Sequence, residues 1–149
     1  MKKQFTISVF LFLWTTIILA QSEAMWLRYP AISPDGNTIV FSYQGDLWKT
    51  SSSGGEAVPM TLHEGHDFQP VWSNDGTQIA FASHRYGNYD IFLMPSTGGK
   101  ATRLTYHSSN DFPSSFSPDD QTVLFTSGRL DAATTVSYTH LTLPTTPYV

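Results

Sequence analysis

The residues of this chain that could do chemistry gather in two short stretches. His63-Glu64-Gly65-His66 runs into Asp67, and His84-Arg85-Tyr86 is followed by Gly87-Asn88. The first stretch offers His63, His66 and Asp67 as metal ligands in principle. It lacks the His-Glu-x-x-His spacing that sets two histidines on one helix face, and zinc needs three or four well-placed ligands. A hydrogen-bonded or solvated loop is the plainer expectation, so no metal and no cofactor are assigned. There is no Gly-x-Ser-x-Gly elbow for a serine nucleophile and no phosphate-cradling glycine loop. No catalytic residue is assigned either. The second stretch is the better candidate for a functional surface. His84, Arg85, Tyr86 and Asn88 suit contacts to a peptide or a sugar, and binding residues often sit on loops held by a rigid scaffold. The competing expectation is that Gly87 and Asn88 merely turn a hairpin.

What must position these residues is a repeat. Pro30-Ala-Ile-Ser-Pro-Asp-Gly36, Pro70-Val-Trp-Ser-Asn-Asp-Gly76 and Ser114-Ser-Phe-Ser-Pro-Asp-Asp120 say nearly the same thing. Each precedes an apolar run: Ile39-Val-Phe41, Ile79-Ala-Phe81 or Val123-Leu-Phe125. Ser33 to Ser73 is 40 residues and Ser73 to Ser117 is 44. The extra four fall in one place, the Ala82–Tyr89 loop, which is where stacked units tolerate insertion. Downstream, Asp46-Leu-Trp48 matches Asp90-Ile-Phe92, Gly54-Gly55 matches Gly98-Gly99, His63 matches His107, and Asp67-Phe68 matches Asp111-Phe112. A self-similar unit of about 40 residues with turns and short strands marks a β-propeller blade. The fold class expected is therefore all-β. It would be a partial propeller of about two and a half four-stranded blades, with repeats starting near residues 29, 69 and 112.

Each unit reads as four strands. Ser-Pro-Asp-Gly turns the first strand into the second: Pro34 presets φ, Asp35 bonds locally, and Gly36 takes a conformation that a Cβ resists. Asp120 stands where glycine is expected, and aspartate enters the left-handed region at some cost. The second strand is apolar on both faces, as suits a sheet covered by a blade on each side. Asp35, Asp75 and Asp119 fit turn geometry and provide too few close oxygens for calcium. Phe41, Trp72, Phe81, Phe116 and Phe125 are expected in the core. Matched by the repeat, His63 and His107 are expected to support the blade connections.

Both ends fall outside the repeat. Lys2 and Lys3 precede an apolar run from Phe5 to Leu19, with cleavage expected after Ala20 or Ala24. Residues 1–24 thus read as a helical signal peptide, and the run is short for a transmembrane helix. Export to a periplasmic or extracellular space is expected, with an uncleaved N-terminal anchor as the lesser alternative. No cysteine is present, so no disulfide would form there. Residues 136–149 lose the repeat and resemble the translation of a library adapter, so they read as a non-native tail. The alternative is a native third strand, given the β-forming Val136, Tyr138 and Leu141. Residues 25–135 are left as the propeller portion, and its uncovered faces predict poor solubility or partial unfolding in isolation. The net charge is −4, which argues against nucleic acid as a partner.

The repeat wording resembles the PD-type propeller repeats shared by Tol-associated periplasmic proteins, tricorn proteases and dipeptidyl peptidases. Trp26-Leu-Arg-Tyr-Pro-Ala-Ile-Ser-Pro-Asp-Gly36, Phe41-Ser-Tyr-Gln-Gly-Asp-Leu-Trp48, Ser83-His-Arg-Tyr-Gly-Asn-Tyr-Asp90, Arg103-Leu-Thr-Tyr-His107 and Asn110-Asp-Phe-Pro113 together look like the start of an exported tricorn-type protease. That resemblance implies a truncated N-terminal propeller of a serine peptidase whose catalytic residues lie elsewhere. The propeller itself would be a non-catalytic gate or guide. Its implied partners are peptides or unfolded polypeptide, together with the remaining blades and peptidase core of the parent chain, which could form a homo-oligomer. The alternatives are a TolB-like protein-binding propeller and the propeller of a dipeptidyl peptidase.

Overall fold

The computed structural model describes residues 26–129 and the strand Thr135–His140. The expected signal helix over 1–24 lies outside the described residues. Three antiparallel sheets follow one another along the chain. The first holds β1 (Arg28–Ile32), β2 (Thr38–Tyr43), β3 (Asp46–Ser51) and β4 (Val58–Pro59) in chain order. The second repeats this with β5 (Asp67–Trp72), β6 (Gln78–Ser83), β7 (Asp90–Pro95) and β8 (Thr102–Arg103). The third holds β9 (Asp111–Phe116), β10 (Thr122–Ser127) and β11 (Thr135–His140).

The turn chemistry expected from Ser-x-Asp closes each unit. Ser73 Oγ donates to Asp75 Oδ1 at 2.6 Å and accepts from the Gln78 N–H at 2.9 Å. Ser117 does the same with Asp119 and the Thr122 N–H, at 2.6 and 3.0 Å. Ser33 bonds Asp35 and the Thr38 N–H in the same way. Gly36 and Gly76 close their turns at φ 75° and 72°, and Asp120 takes the equivalent place at φ 56°.

The sheets stack face to face like wedges. Alternate residues of β6 and β7 point to opposite neighbours. Ile79, Phe81, Phe92 and Met94 pack with Val40 and Leu47 of the first blade. Ala80, Ile91 and Leu93 pack with Phe116, Val123 and Phe125 of the third. In the middle blade β6 is therefore buried on both faces from Ile79 to Ser83, whereas β10 alternates buried and half-buried positions. The first strands pack against one another, β1 on β5 and β5 on β9, while the described residues show no comparable packing of β4 on β8. The strands thus converge at one edge and splay at the other, the radial arrangement of a propeller.

Of the tail read as adapter-derived from residue 136, β11 is described. It pairs antiparallel with β10 from Thr122↔His140 to Ser127↔Thr135. An open strand edge pairs readily with a β-forming segment, whatever that segment's origin. Residues 141–149 lie outside the described residues.

Candidate binding site at the junction of the first two blades

The His63 and His66 stretch forms part of a blade connection. His63 Nδ1 accepts from the Gly65 N–H at 2.8 Å, and His107 Nδ1 accepts from the Ser109 N–H at 3.1 Å. The two repeat-matched histidines thus brace equivalent loops. Asp67 is fully buried and holds Arg85 Nη2 at 2.7 Å.

That pairing engages Arg85, one of the expected contact residues. The Arg85 guanidinium also lies over the rings of Phe81 and Phe92, 5.6 and 5.0 Å from their centroids. The same pair recurs in the next blade, where Arg129 Nη2 stands 2.6 Å from Asp111 Oδ2. Eighteen residues separate aspartate from arginine in both cases. Asn88 is committed too: its amide donates to the carbonyls of His107 and Ser109 at 2.9 and 3.0 Å. Tyr86 is 64% exposed and stacks on Arg103, whose guanidinium lies 4.5 Å from its ring centroid. His84 is exposed, with its ring 5.1 Å from that of Tyr89. The four residues lie on one loop as expected. Arg85 and Asn88 spend their polar atoms inside the fold, and His84 and Tyr86 face outward.

Arg103 also stands 2.7 Å from the buried Asp90 Oδ2, as an ion pair without hydrogen-bond alignment. Burial pushes the Asp90 carboxyl up, against the lowering by Arg103 and by the Asn88 amide. Thr105 donates to Asp90 and accepts from the Ile91 N–H at 3.0 Å, just as Thr61 serves Asp46 and Leu47. These carboxylates fasten each outer connection to its blade.

A second group of residues meets where the inner strands begin. Phe68 at the start of β5 is the hub. Its ring lies 5.1 Å from Tyr29, 4.9 Å from Tyr89, 5.8 Å from Phe112 and 5.2 Å from His66, the last pair stacked at 7°. Such ring pairs contribute beyond the area they bury. Beside this cluster a cleft of about 390 Å³ opens, lined by Trp26, Arg28, Tyr29, Tyr43, His66 and Phe68 among others. Tyr29 (φ 52°) and Gln69 (φ 55°) occupy bulges in β1 and β5 that lie 40 residues apart, and both take left-handed backbone that is costly without glycine. Bulges re-aim side chains and concentrate near sites. Here they kink the inner strands beside the aromatic cluster. Gln69 Nε2 then bonds the Pro113 carbonyl of the third blade at 2.9 Å. In the sequence, Trp26, Tyr29 and Phe68 stand only as repeat wording. The signal available was an aromatic at the start of each inner strand.

Three stacked antiparallel blades fastened by repeated Asp–Thr and Asp–Arg contacts define a β-propeller protein. More particularly, the chain belongs to the family described as the tricorn protease N-terminal beta propeller domain, which matches residues 24–144. A TolB homolog from Chlorobium luteolum is 33% identical over 57 residues, which are 38% of this chain and 13% of the relative. The crystal structure of TolB from Acinetobacter baumannii superposes with a TM-score of 0.62 at 21% identity, covering 80% of this chain and 33% of that one. The crystal structure of the tricorn protease gives a TM-score of 0.56 at 16% identity, covering 74% of this chain and 12% of the other. At these identities the likeness to the solved structures carries the fold. The chain spans well under two thirds of the length of each.

Proposed function

We propose that this chain supplies blades of an exported propeller that holds extended polypeptide and is itself catalytically silent. The observation that carries the reading is the aromatic cleft beside Phe68, open at the junction of two blades. Exposed aromatic rings on a rigid scaffold offer contact area with little side-chain entropy to lose, which suits an unfolded chain of varied sequence. His84 and Tyr86 extend the contact surface along the neighbouring loop. Export rests on the basic and apolar pattern of residues 2–19. The remaining partners on this reading are further blades and a peptidase core of a parent chain. Fluorescence anisotropy of labelled extended peptides against the full chain tests the proposal. Saturable binding with every peptide recovered intact is expected. Absence of binding, or hydrolysis by the pure chain, would overturn it.

The match to a TolB homolog supports a second reading, in which the propeller is a protein-binding module whose partner is a folded protein and not an extended chain. The two separate in competition: unfolded peptide displaces bound peptide on the first reading, and only a folded partner does so on the second.

A further inference from the structure

We propose that the cleft beside Phe68 selects an acidic side chain next to an aromatic or large apolar one within an extended chain. The inference rests on the peptide-holding reading and names the sequence class it favours. Charge is the first argument. Arg85, Arg103 and Arg129 each stand 2.6 to 2.7 Å from a buried carboxylate. Arg28 lines the cleft, is exposed, and has no carboxylate within ion-pair distance among the described residues. Among the described residues, none lining the cleft is acidic. An anion brought here meets a guanidinium that no side chain of the described fold neutralises, and guanidinium binds carboxylate through paired donors.

Shape and surface supply the second argument. The Arg28 guanidinium lies over the Trp26 ring, 5.0 Å from its centroid, so the positive charge sits beside an apolar wall. Trp26 and Tyr29 are 71% and 45% exposed. Phe68, stacked on His66, lies against both Tyr29 and Tyr89. The volume of about 390 Å³ has room for two neighbouring side chains of a ligand and is too small for a folded domain. A carboxylate on Arg28 would place the adjacent residue against these rings. Because the recognised group is a side chain, a blocked chain end does not weaken binding.

The test uses the full chain and short peptides acetylated at one end and amidated at the other. One set carries an internal Glu-Phe, and a matched set carries Gln-Phe. Binding is read by titration calorimetry, with far-ultraviolet circular dichroism as the folding control. The Glu-Phe peptide is expected to bind at least about tenfold more tightly, with the preference falling to near parity at high salt. Arg28→Gln should abolish that preference, bringing the Glu-Phe and Gln-Phe peptides to parity. The peptide pair tests the idea on the unaltered protein even if the variant folds poorly. Equal affinity for both peptides overturns the acidic preference and leaves the peptide-holding reading standing. Binding of neither peptide overturns both. With the same peptides left unamidated, tighter binding that appears only with the free carboxyl end assigns Arg28 to a terminal carboxylate and overturns the side-chain specificity.

Discussion

Asp120 clasps Asn74 across the boundary between the second and third blades. Its Oδ1 accepts from the backbone N–H and from the side-chain amide of Asn74, both at 2.7 Å, while its Oδ2 accepts from the Asp75 N–H at 2.9 Å. The residue sits at φ 56°, in the place that Gly36 and Gly76 fill in the other two turns. Left-handed backbone at a non-glycine residue costs about 1 kcal/mol or more. Charge-assisted bonds to a neighbouring blade offset that cost. The departure from the repeat is therefore an inter-blade fastening.

The three substitutions at this position should separate the two effects. Asp120→Asn keeps an acceptor and tolerates the backbone, so it should change stability little. Asp120→Gly relieves the backbone and loses the clasp, and should lie close to the wild type. Asp120→Ala loses the clasp and keeps the strain, and should cost about 1–2 kcal/mol. Urea midpoints at constant m-value provide the measurement. Asp120→Ala matching Asp120→Gly would remove backbone strain from the account.

Arg85 and Asp67 form the pair whose loss should be felt most. Asp67 is fully buried, and Arg85→Gln strands its charge. Breaking a buried pair from one side costs about 3–5 kcal/mol. The double variant Asp67→Asn, Arg85→Gln should recover a good part of that, because no buried charge remains. A double-mutant cycle in urea measures the coupling. Additive losses would mean that the arginine acts through its packing on Phe81 and Phe92 instead.

The blades were legible in the sequence because their determinants are local. Ser-x-Asp-Gly writes a turn, and an apolar second strand such as Ile79–Phe81 writes burial on both faces. The radial order of the sheets follows from the same repeat. The site was less legible, since Arg85 and Asn88 look like surface chemistry until Asp67 and the 107–109 carbonyls are placed beside them. Those partners lie 18 to 21 residues away, across a loop whose path the pattern does not encode. The Phe68 cluster draws on all three blades, with Tyr29 in β1, Phe68 in β5 and Phe112 in β9.

Acid should weaken the turns. Hydroxyl bonds from Ser33 and Ser73, then backbone N–H bonds from Asn37 and Thr77, hold the Asp35 and Asp75 carboxyls below their ordinary 3.8. Groups lowered in the folded state add stability that is present above 3.8 and lost as pH falls through the folded value. Asp90 has the opposite sign: its raised value gives stability below 3.8 that is lost as pH rises through it. Ser73→Ala should therefore destabilise more near neutrality than in strong acid, where the loss of the Gln78 N–H bond remains. Denaturation midpoints across that range give the comparison. A gap between the two proteins that is constant with pH would exclude the carboxylate as its cause.

Gly65 ties the blade connection to the loop that carries His84 and Tyr86. A Cβ built at Gly65 would stand 3.1 Å from the Arg85 backbone N, its Cα and its Cγ. Backbone atoms cannot swing aside as a side-chain tip can, so Gly65→Ala must push the 84–89 loop or the 63–66 connection. Either movement lengthens the Arg85–Asp67 contact and loosens the bond from the His84 N–H to the His66 carbonyl, now 3.1 Å. Overpacking of this kind costs about 1–3 kcal/mol. Gly87→Ala lies on the same loop with nothing within 4 Å of its Cβ, but at φ 95°. It should cost stability through backbone strain alone and leave the blade contact intact. Amide hydrogen exchange at His84 and Asp67 separates the two: faster exchange at both is expected for Gly65→Ala and at neither for Gly87→Ala. Unchanged exchange in Gly65→Ala would mean that the loop accommodates the methyl group, and that His84 and Tyr86 are positioned independently of the first blade's connection.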